Sequence, residues 1–490
     1  ARARAGPAGG GGRGLGARAP AGNVNAVWMP AVMRFILGGL GVVSLVGYAL
    51  DSRLLLGDGM NVFTRHVIVF AVLFALYLGA VWLTVSRSGE DRVVLGLVLG
   101  FGLLFRVAVL PTPVVLSSDV YRYLWDGRVQ RAGISPYRHP PAAPELAHLR
   151  DEAISPNINR PTARTVYPPG TQMVFAAVTT VFPDSLLGWR LFLLGCEMAT
   201  GALLLRLLHR MGRPPGAVIL YAWAPLAVLE GVQAAHVEPA LLPLVLLALL
   251  WRQEGRMAMA GAAVGAAVLL KLYPLALALA WWRRGDRRFP AACLGVLAAG
   301  YLLYAAPVGL GVLGFLPQYF SSAEDFNIGL RWFVTEGIGL GGEVARGSAM
   351  LLLFGLLLSV LLRIRGSLRE GVDGVFTAGF AAVAAWLLLL PTALHAWYVM
   401  WILPFLTVSP SPAWLWLSGA VALSYLKYVS PAEFPFWART LEFLPLYALL
   451  LWEWRRRRPA MTNPVEAGER LRRRAGAPLP AAPASSRGPR

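Results

Sequence analysis

Residues 116–170 gather five carboxylates (Asp119, Asp126, Glu145, Asp151 and Glu152), seven arginines, His139 and His148 into one polar stretch that opens SSDVYRYLWDGRVQRAGISPYRHPP. If its first half is helical, Asp119, Tyr123 and Asp126 fall at i, i+4 and i+7 on one face, with Arg122 beside them. Two carboxylates and a guanidinium projecting together can take up a proton and hold an anion. Most of the loop's charges read as solvated side chains in weak surface ion pairs. Asp119 stands apart, because it directly follows an apolar run and sits among Tyr121, Tyr123 and Trp125, aromatics suited to stack on a sugar ring and to lie at a lipid interface.

Three apolar segments carry isolated polar groups at their ends. WAPLAVLEGVQAAHVEPALL presents His236 and Glu238, VLLKLYPLAL places Lys271 between two short runs, and LLLLPTALHAWYVMWILPFL ends a run on His395, Trp397 and Tyr398. An ammonium in apolar surroundings is costly unless it is paired or snorkelled, which makes Lys271 a functional candidate; pairing with Glu230 or Glu238 is the structural alternative. His395 reads either as an anion ligand or as an interfacial histidine anchoring a span beside Trp397. Asp119, Asp126, His236 and Glu238 are residue types that bind divalent metals, but no compact Asp-x-Asp signature joins them. A metal is compatible with this sequence and not required by it.

The elements that position these groups must be membrane helices. Of the 490 residues, 57% are hydrophobic and only 14% charged, and the mean hydropathy is +0.57, far from the balance of a soluble domain. Fourteen apolar runs, from 31–50 to 437–453, predict an all-α polytopic membrane protein of about fourteen transmembrane helices, several shorter than the ~20 residues an isolated span needs. The run at 31–50 is too long for a signal-peptide core and reads as an uncleaved first span. Cys196 and Cys293, the only two cysteines, lie in apolar runs and suggest neither disulfide nor metal framework.

A formal charge of +19 does not imply nucleic acid here, because residues 1–24 hold four arginines and no acid, and residues 455–490 hold ten arginines against Glu466 and Glu469. Together these tails supply more than half of the charge, and anionic lipid headgroups are their expected partner. The sequence thus divides into a disordered basic tail (1–28), a transmembrane domain (29–454) with a large outer loop (116–185), and a second disordered basic tail (455–490). With both termini cytoplasmic, the segments around Arg87, Arg210, Arg252, Arg283 and Arg363 also fall inside. This orientation requires the apolar stretch 171–182 to be an interfacial or re-entrant helix on the outer face. Acids and histidines then cluster at outer span ends, which favours an enzyme at the interface over a transporter or flippase with charges at mid-span.

These segments resemble the GT-C superfamily of polytopic glycosyltransferases that use polyprenyl-phosphate sugars, over most of the chain. An acid just after a span, opening a large outer loop, is matched by Asp119. A Pro-Pro interfacial helix leading to an Arg-containing span is similar to YPPGTQMVFA, with Tyr167, Pro168 and Pro169, followed by Trp189 and Arg190. The His236, Lys271 and His395 segments look like the polyprenyl-phosphomannose-dependent branch. Two departures stand out: a hairpin at 31–85 precedes the shared core, and Val237 and Glu238 follow His236 where Asn-Asp stands in the mannosyl-transferring relatives.

The resemblance implies a GT-C-like bundle with a large first catalytic loop on the outer face, and the Ala-, Gly- and Arg-rich composition points to a bacterial source and thus to its inner membrane. It implies an inverting transfer of a hexose, mannose above others, from a polyprenyl-phosphate donor to a lipid- or glycan-linked acceptor. Asp119 is then the base that takes the acceptor proton, with Asp126 the second catalytic candidate. His395, Arg331, Arg122, Arg128 and Lys271 are the donor-phosphate candidates, and Tyr121, Tyr123, Tyr137, Tyr167, His236, Glu238, Trp397 and Tyr398 the sugar or acceptor candidates.

Overall fold

The computed structural model describes residues 24–50, 59–87, 91–317, 343–391, 393–429 and 434–457. Most of both expected basic tails lies outside the described residues. Helices and their connections make up the described chain, with no strand among the described residues. Each of the fourteen apolar runs coincides with a helical segment, but among the described residues six helices are long and apolar enough to cross a membrane, or seven if one bent pair counts as a single span. Helix length therefore does not confirm the expectation of about fourteen crossings. Arg92–Ala108 has 17 residues, Met257–Leu270 has 14 and Pro274–Trp281 only eight. At 1.5 Å per residue these fall short of a ~30 Å hydrocarbon layer.

The N-terminal hairpin consists of α1 (Val24–Ala49) and α2 (Val62–Arg87), which pack on each other, and α1 also packs on α3 (Arg92–Ala108). Asp91 starts α3, accepting from the amides of Val93 and Val94 while pairing with Arg34 of α1 at 2.8 Å. The hairpin is part of the core, since the Tyr77 hydroxyl of α2 donates to the Leu220 carbonyl at 3.0 Å.

As its spacing predicts, the outer loop opens in a helix, α4 (Asp119–Arg131). Asp119 occupies its first turn, where a carboxylate suits the positive end of the helix dipole. The 171–182 stretch is α5 (Pro169–Val181), 13 residues begun by Pro169 at the position where a missing N–H costs nothing. Helices α4 and α5 cross at Gly127, where any Cβ would collide with the Thr179 side chain and the Phe175 carbonyl.

Helix α6 (Leu186–Arg210) follows, and then a span that breaks: Pro215–Ala222 and Ala227–Gln233 meet at 58° around Pro225, the second piece winding as a π-helix. What holds the break is an ion pair that the sequence reading passed over, since it located the acids at span ends. Arg106 of α3 and Glu197 of α6 are 1% and 0% exposed and 2.7 Å apart. Arg106 also donates to the carbonyls of Gly102 (2.9 Å) and Ala222 (2.7 Å), the latter at the break.

Removing one partner of such a buried pair leaves an uncompensated charge, at a cost of about 3–5 kcal/mol, whereas replacing both by apolar groups is often neutral. We expect Glu197→Ala to lower the detergent-solubilised melting temperature sharply and Arg106→Met with Glu197→Leu to recover much of the loss, read by thermal unfolding in micelles.

Candidate active site

A cavity of about 430 Å³ opens where the start of α4, the loop 159–168, the Lys271–Tyr273 break, the 390–401 segment and Tyr425 converge. Two of the walls owe their position to an interrupted helix. Met257–Leu270 ends at Lys271 in extended conformation (φ −149°, ψ 150°) and Pro274 begins the next helix, so the lysine leaves the helical ladder. Leu390 likewise follows the end of Val372–Leu389, and a 3-10 turn at Ala396–Ile402 carries Trp397, Tyr398 and Trp401.

Asp119 lines this cavity with 19% of its side chain exposed. The Asn159 side-chain amide donates to its Oδ1 at 2.5 Å. Burial pushes the Asp119 carboxyl above the ordinary carboxylate range, and the Lys271 ammonium, the Asn159 hydrogen bond and the Arg160 guanidinium pull it back. Lys271 sits 3.1 Å from Glu238 Oε1, and its ammonium lies 5.6 Å from the ring centres of both Tyr167 and Tyr398. Of the two pairings open in the sequence, the structure selects Glu238. The Trp397 indole is sandwiched between two imidazoles, His395 at 4.3 Å (5° between planes) and His236 at 3.9 Å (21°). Trp401 stacks on Tyr273 at 4.1 Å and on Tyr398 at 4.7 Å, completing an aromatic wall.

The structure thus brings together at the cavity Asp119, Arg122, Tyr167, Lys271, His395, Trp397 and Tyr398 of the sequence candidates. His236 and Glu238 are fully buried one layer behind, so neither is placed to touch a sugar directly. Asp126 departs from its expected company with Asp119. It is 2% exposed, outside the cavity wall, and taken up by Arg122 (2.8 Å) and the Gln172 amide (2.8 Å). Seven residues of helix carry it past the cavity and onto α5. Arg128 also points elsewhere, to Asp151 (2.6 Å), Asp184 (3.1 Å) and the Leu149 carbonyl. Its guanidinium holds the Asp151 carboxyl well below the usual range.

Among the tyrosine candidates, Tyr123 packs between Phe175, Tyr167 and Trp189, and Tyr137 donates from its hydroxyl to the Tyr167 carbonyl at 2.7 Å. Both shape the wall from behind, and Tyr121 lies off the cavity. Arg331 lies outside the described residues. Among the described residues no group of three or more His, Cys, Asp or Glu could hold a metal ion, so Asp119, Asp126, His236 and Glu238 do not assemble as a ligand set.

Sequence reasoning missed Asn159, Arg160, Arg164, Tyr273 and Tyr425 as cavity residues. Nothing in local pattern flags Asn159, which reaches Asp119 across 40 positions. Arg160 is held at φ +47°, a conformation uncommon for any residue with a Cβ and recurrent at functional sites.

An all-helical bundle with several membrane-length helices, enclosing an acid, a lysine and an aromatic wall in one cavity, is the build of a membrane-embedded enzyme. Residues 31–285 match the family described as alpha-(1->6)-mannopyranosyltransferase, N-terminal domain (MptA_B family), and the chain belongs to that family. The glycosyltransferase of mannosyl type implied by the sequence resemblance is thereby supported, and the Asn-Asp departure after His236 does not exclude it. No curated protein matches the chain. The matched region includes Asp119, His236, Glu238 and Lys271 but ends before His395 and Trp397, which close the cavity from the other side.

If the Asp119 carboxylate serves turnover, the acidic limb of its pH–rate profile will lie above the ordinary aspartate value of about 3.9. Asn159→Ala, which removes a hydrogen bond favouring the charged form, should move that limb to still higher pH with little change on the plateau, measured as mannosyl transfer between pH 4 and 8.

Proposed function

We propose that the protein is an inverting mannosyltransferase that moves mannose from a polyprenyl-phosphate carrier onto the 6-hydroxyl of a mannose-containing, lipid- or glycan-linked acceptor at the extracytoplasmic face of a bacterial inner membrane. The observation that carries this reading is the cavity itself, which sets a half-buried carboxylate, Asp119, opposite a lysine and between aromatic walls. The family description supports the sugar and an α-(1→6) product. Inversion to an α product calls for a β-linked donor.

In this mechanism Asp119 takes the proton of the acceptor hydroxyl as its oxygen attacks the anomeric carbon from the side opposite the phosphate. The carbon–oxygen bond to phosphate breaks, and charge grows on the departing polyprenyl phosphate. Lys271, with Arg122 and His395, faces that charge, in a site where fixed donors act more strongly than in water. Arg122 is aimed by Asp126, its i+4 partner, which gives that second acid a supporting place in the reaction. Tyr167, Trp397 and Tyr398 supply faces for a sugar ring. Arg128, committed to Asp151 and Asp184, has no part in holding phosphate.

Positive-inside charge on the connections near Arg210, Arg252 and Arg283 supports an outer location for the cavity. A donor of this kind is itself a membrane lipid, so the reaction needs no nucleotide sugar.

We expect Asp119→Asn in the purified protein to slow transfer by roughly 10²- to 10⁴-fold while leaving lipid-donor binding and thermal stability intact; near-normal turnover would remove Asp119 from the base role. Polyprenyl-phosphate [¹⁴C]mannose should label an acceptor in proteoliposomes, and GDP-[¹⁴C]mannose should not. Labelling from the nucleotide sugar alone would overturn the donor assignment.

A further inference from the structure

Behind Asp119 lies a line of buried polar groups that the mechanism above does not use. His236 Nδ1 is 3.7 Å from Asp119 Oδ2, and His236 Nε2 is 3.5 Å from Glu230 Oε2. The Glu230 carboxylate in turn accepts from the Tyr425 hydroxyl, at 2.9 and 2.8 Å to its two oxygens. Both His236 and Glu230 are 0% exposed. Among the described residues neither ring nitrogen of His236 has a hydrogen-bond partner, a rare condition for a buried imidazole. The two gaps are just beyond hydrogen-bond reach, and such catalytic contacts are often long before substrate binds.

The backbone is arranged to keep this line in place. Glu230 lies in the π-helical turn, an interruption that recurs at functional sites. The His236 amide donates to the Glu230 carbonyl at 3.2 Å, so the two residues are tied through the main chain as well. Ala235, between them and the imidazole, adopts φ +62°, a left-handed conformation that turns the chain just before His236. Trp189 Nε1 donates to the Ala235 carbonyl at 2.9 Å and Arg190 donates to the Gln233 carbonyl, pinning the turn from α6. Trp397 stacks flat on the imidazole and restricts its rotation.

We infer that Glu230 is a positioning residue for the transfer: held by Tyr425, it orients His236 so that the imidazole accepts from Asp119 the proton removed from the acceptor hydroxyl. The inference rests on the proposed base role of Asp119. As the acceptor oxygen bonds to the anomeric carbon, its O–H bond breaks and the proton joins the Asp119 carboxylate. The electron pair of the breaking carbon–oxygen bond leaves with the polyprenyl phosphate. The proton passes to His236 Nδ1, giving an imidazolium between Asp119 and Glu230, and returns through Asp119 to cavity water as product leaves. No other reactant is needed. The other titratable groups facing this line are Lys271, Arg160, Tyr167 and Glu238 toward Asp119, Lys271 and His395 toward His236, Glu238 and Tyr428 toward Glu230, and His66, whose ring meets Tyr425 edge-on at 5.0 Å.

The test compares Glu230→Gln with Asp119→Asn in the full-length protein, using polyprenyl-phosphate mannose and a mannoside acceptor. Glu230→Gln keeps the size of the side chain and an acceptor for Tyr425 but loses the carboxyl group that faces His236. We expect kcat to fall at least tenfold, KM to stay within twofold, and Glu230→Asp to recover part of kcat, because the carboxyl group and not the bulk of the side chain orients the imidazole. Tyr425→Phe should lower kcat at unchanged KM by less, and it stands in if Glu230→Gln fails to fold. An inactive Asp119→Asn beside a Glu230→Gln with wild-type kcat overturns this inference and leaves the proposed function standing. An active Asp119→Asn overturns both.

Discussion

One ammonium governs the chemistry of this cavity. Lys271 leaves its helix between two short apolar segments and meets Glu238 at 3.1 Å, so each of two charges that could not stand alone in apolar surroundings makes the other tolerable. The same ammonium faces Tyr167 and Tyr398 and opposes the effect of burial on Asp119. Carboxylate, cation and aromatic wall are therefore coupled electrostatically, and the partner of the lysine sits behind it and not in the cavity, which suits the phosphate role proposed for it.

Around this pair the protein is built from interrupted helices fastened by polar ties. Arg106 joins α3 and α6 to the broken span at Ala222, and Arg190 joins the end of α3 to the turn before His236 through the carbonyls of Leu110, Thr112 and Gln233. An unpaired carbonyl in a membrane interior is costly, so every helix interruption needs such a donor. Those interruptions also release the backbone from helical geometry where side chains must turn toward the cavity. Breaks and ties thus form one arrangement, and the membrane environment makes each depend on the other.

Much of the chain was legible from local pattern. Each of the fourteen apolar runs marked a helical segment and the proline pair marked the start of α5, whereas the i, i+4 ion pair of Arg122 and Asp126 went unread. Hydropathy did not settle how many segments cross, because a run of 8–17 apolar residues is equally at home as a buried short helix or half a span. The helical face shared by Asp119 and Asp126 was read correctly as helix and misleadingly as common purpose. One acid stands at the helix start beside the cavity, and the other lies two turns on, against α5.

What the sequence by itself determined was the class of molecule, the order of its helices and the prominence of Asp119, Lys271 and His395, all of which rest on composition and on contacts a few residues long. Only the tertiary structure decided that Lys271 takes Glu238 and not Glu230, that Glu230 lies instead behind His236, and that Asn159 reaches Asp119. The physical reason is distance along the chain. Tyr425 and Glu230 meet across 195 positions, and no local periodicity records which polar groups a folded bundle will bring within 4 Å of one another.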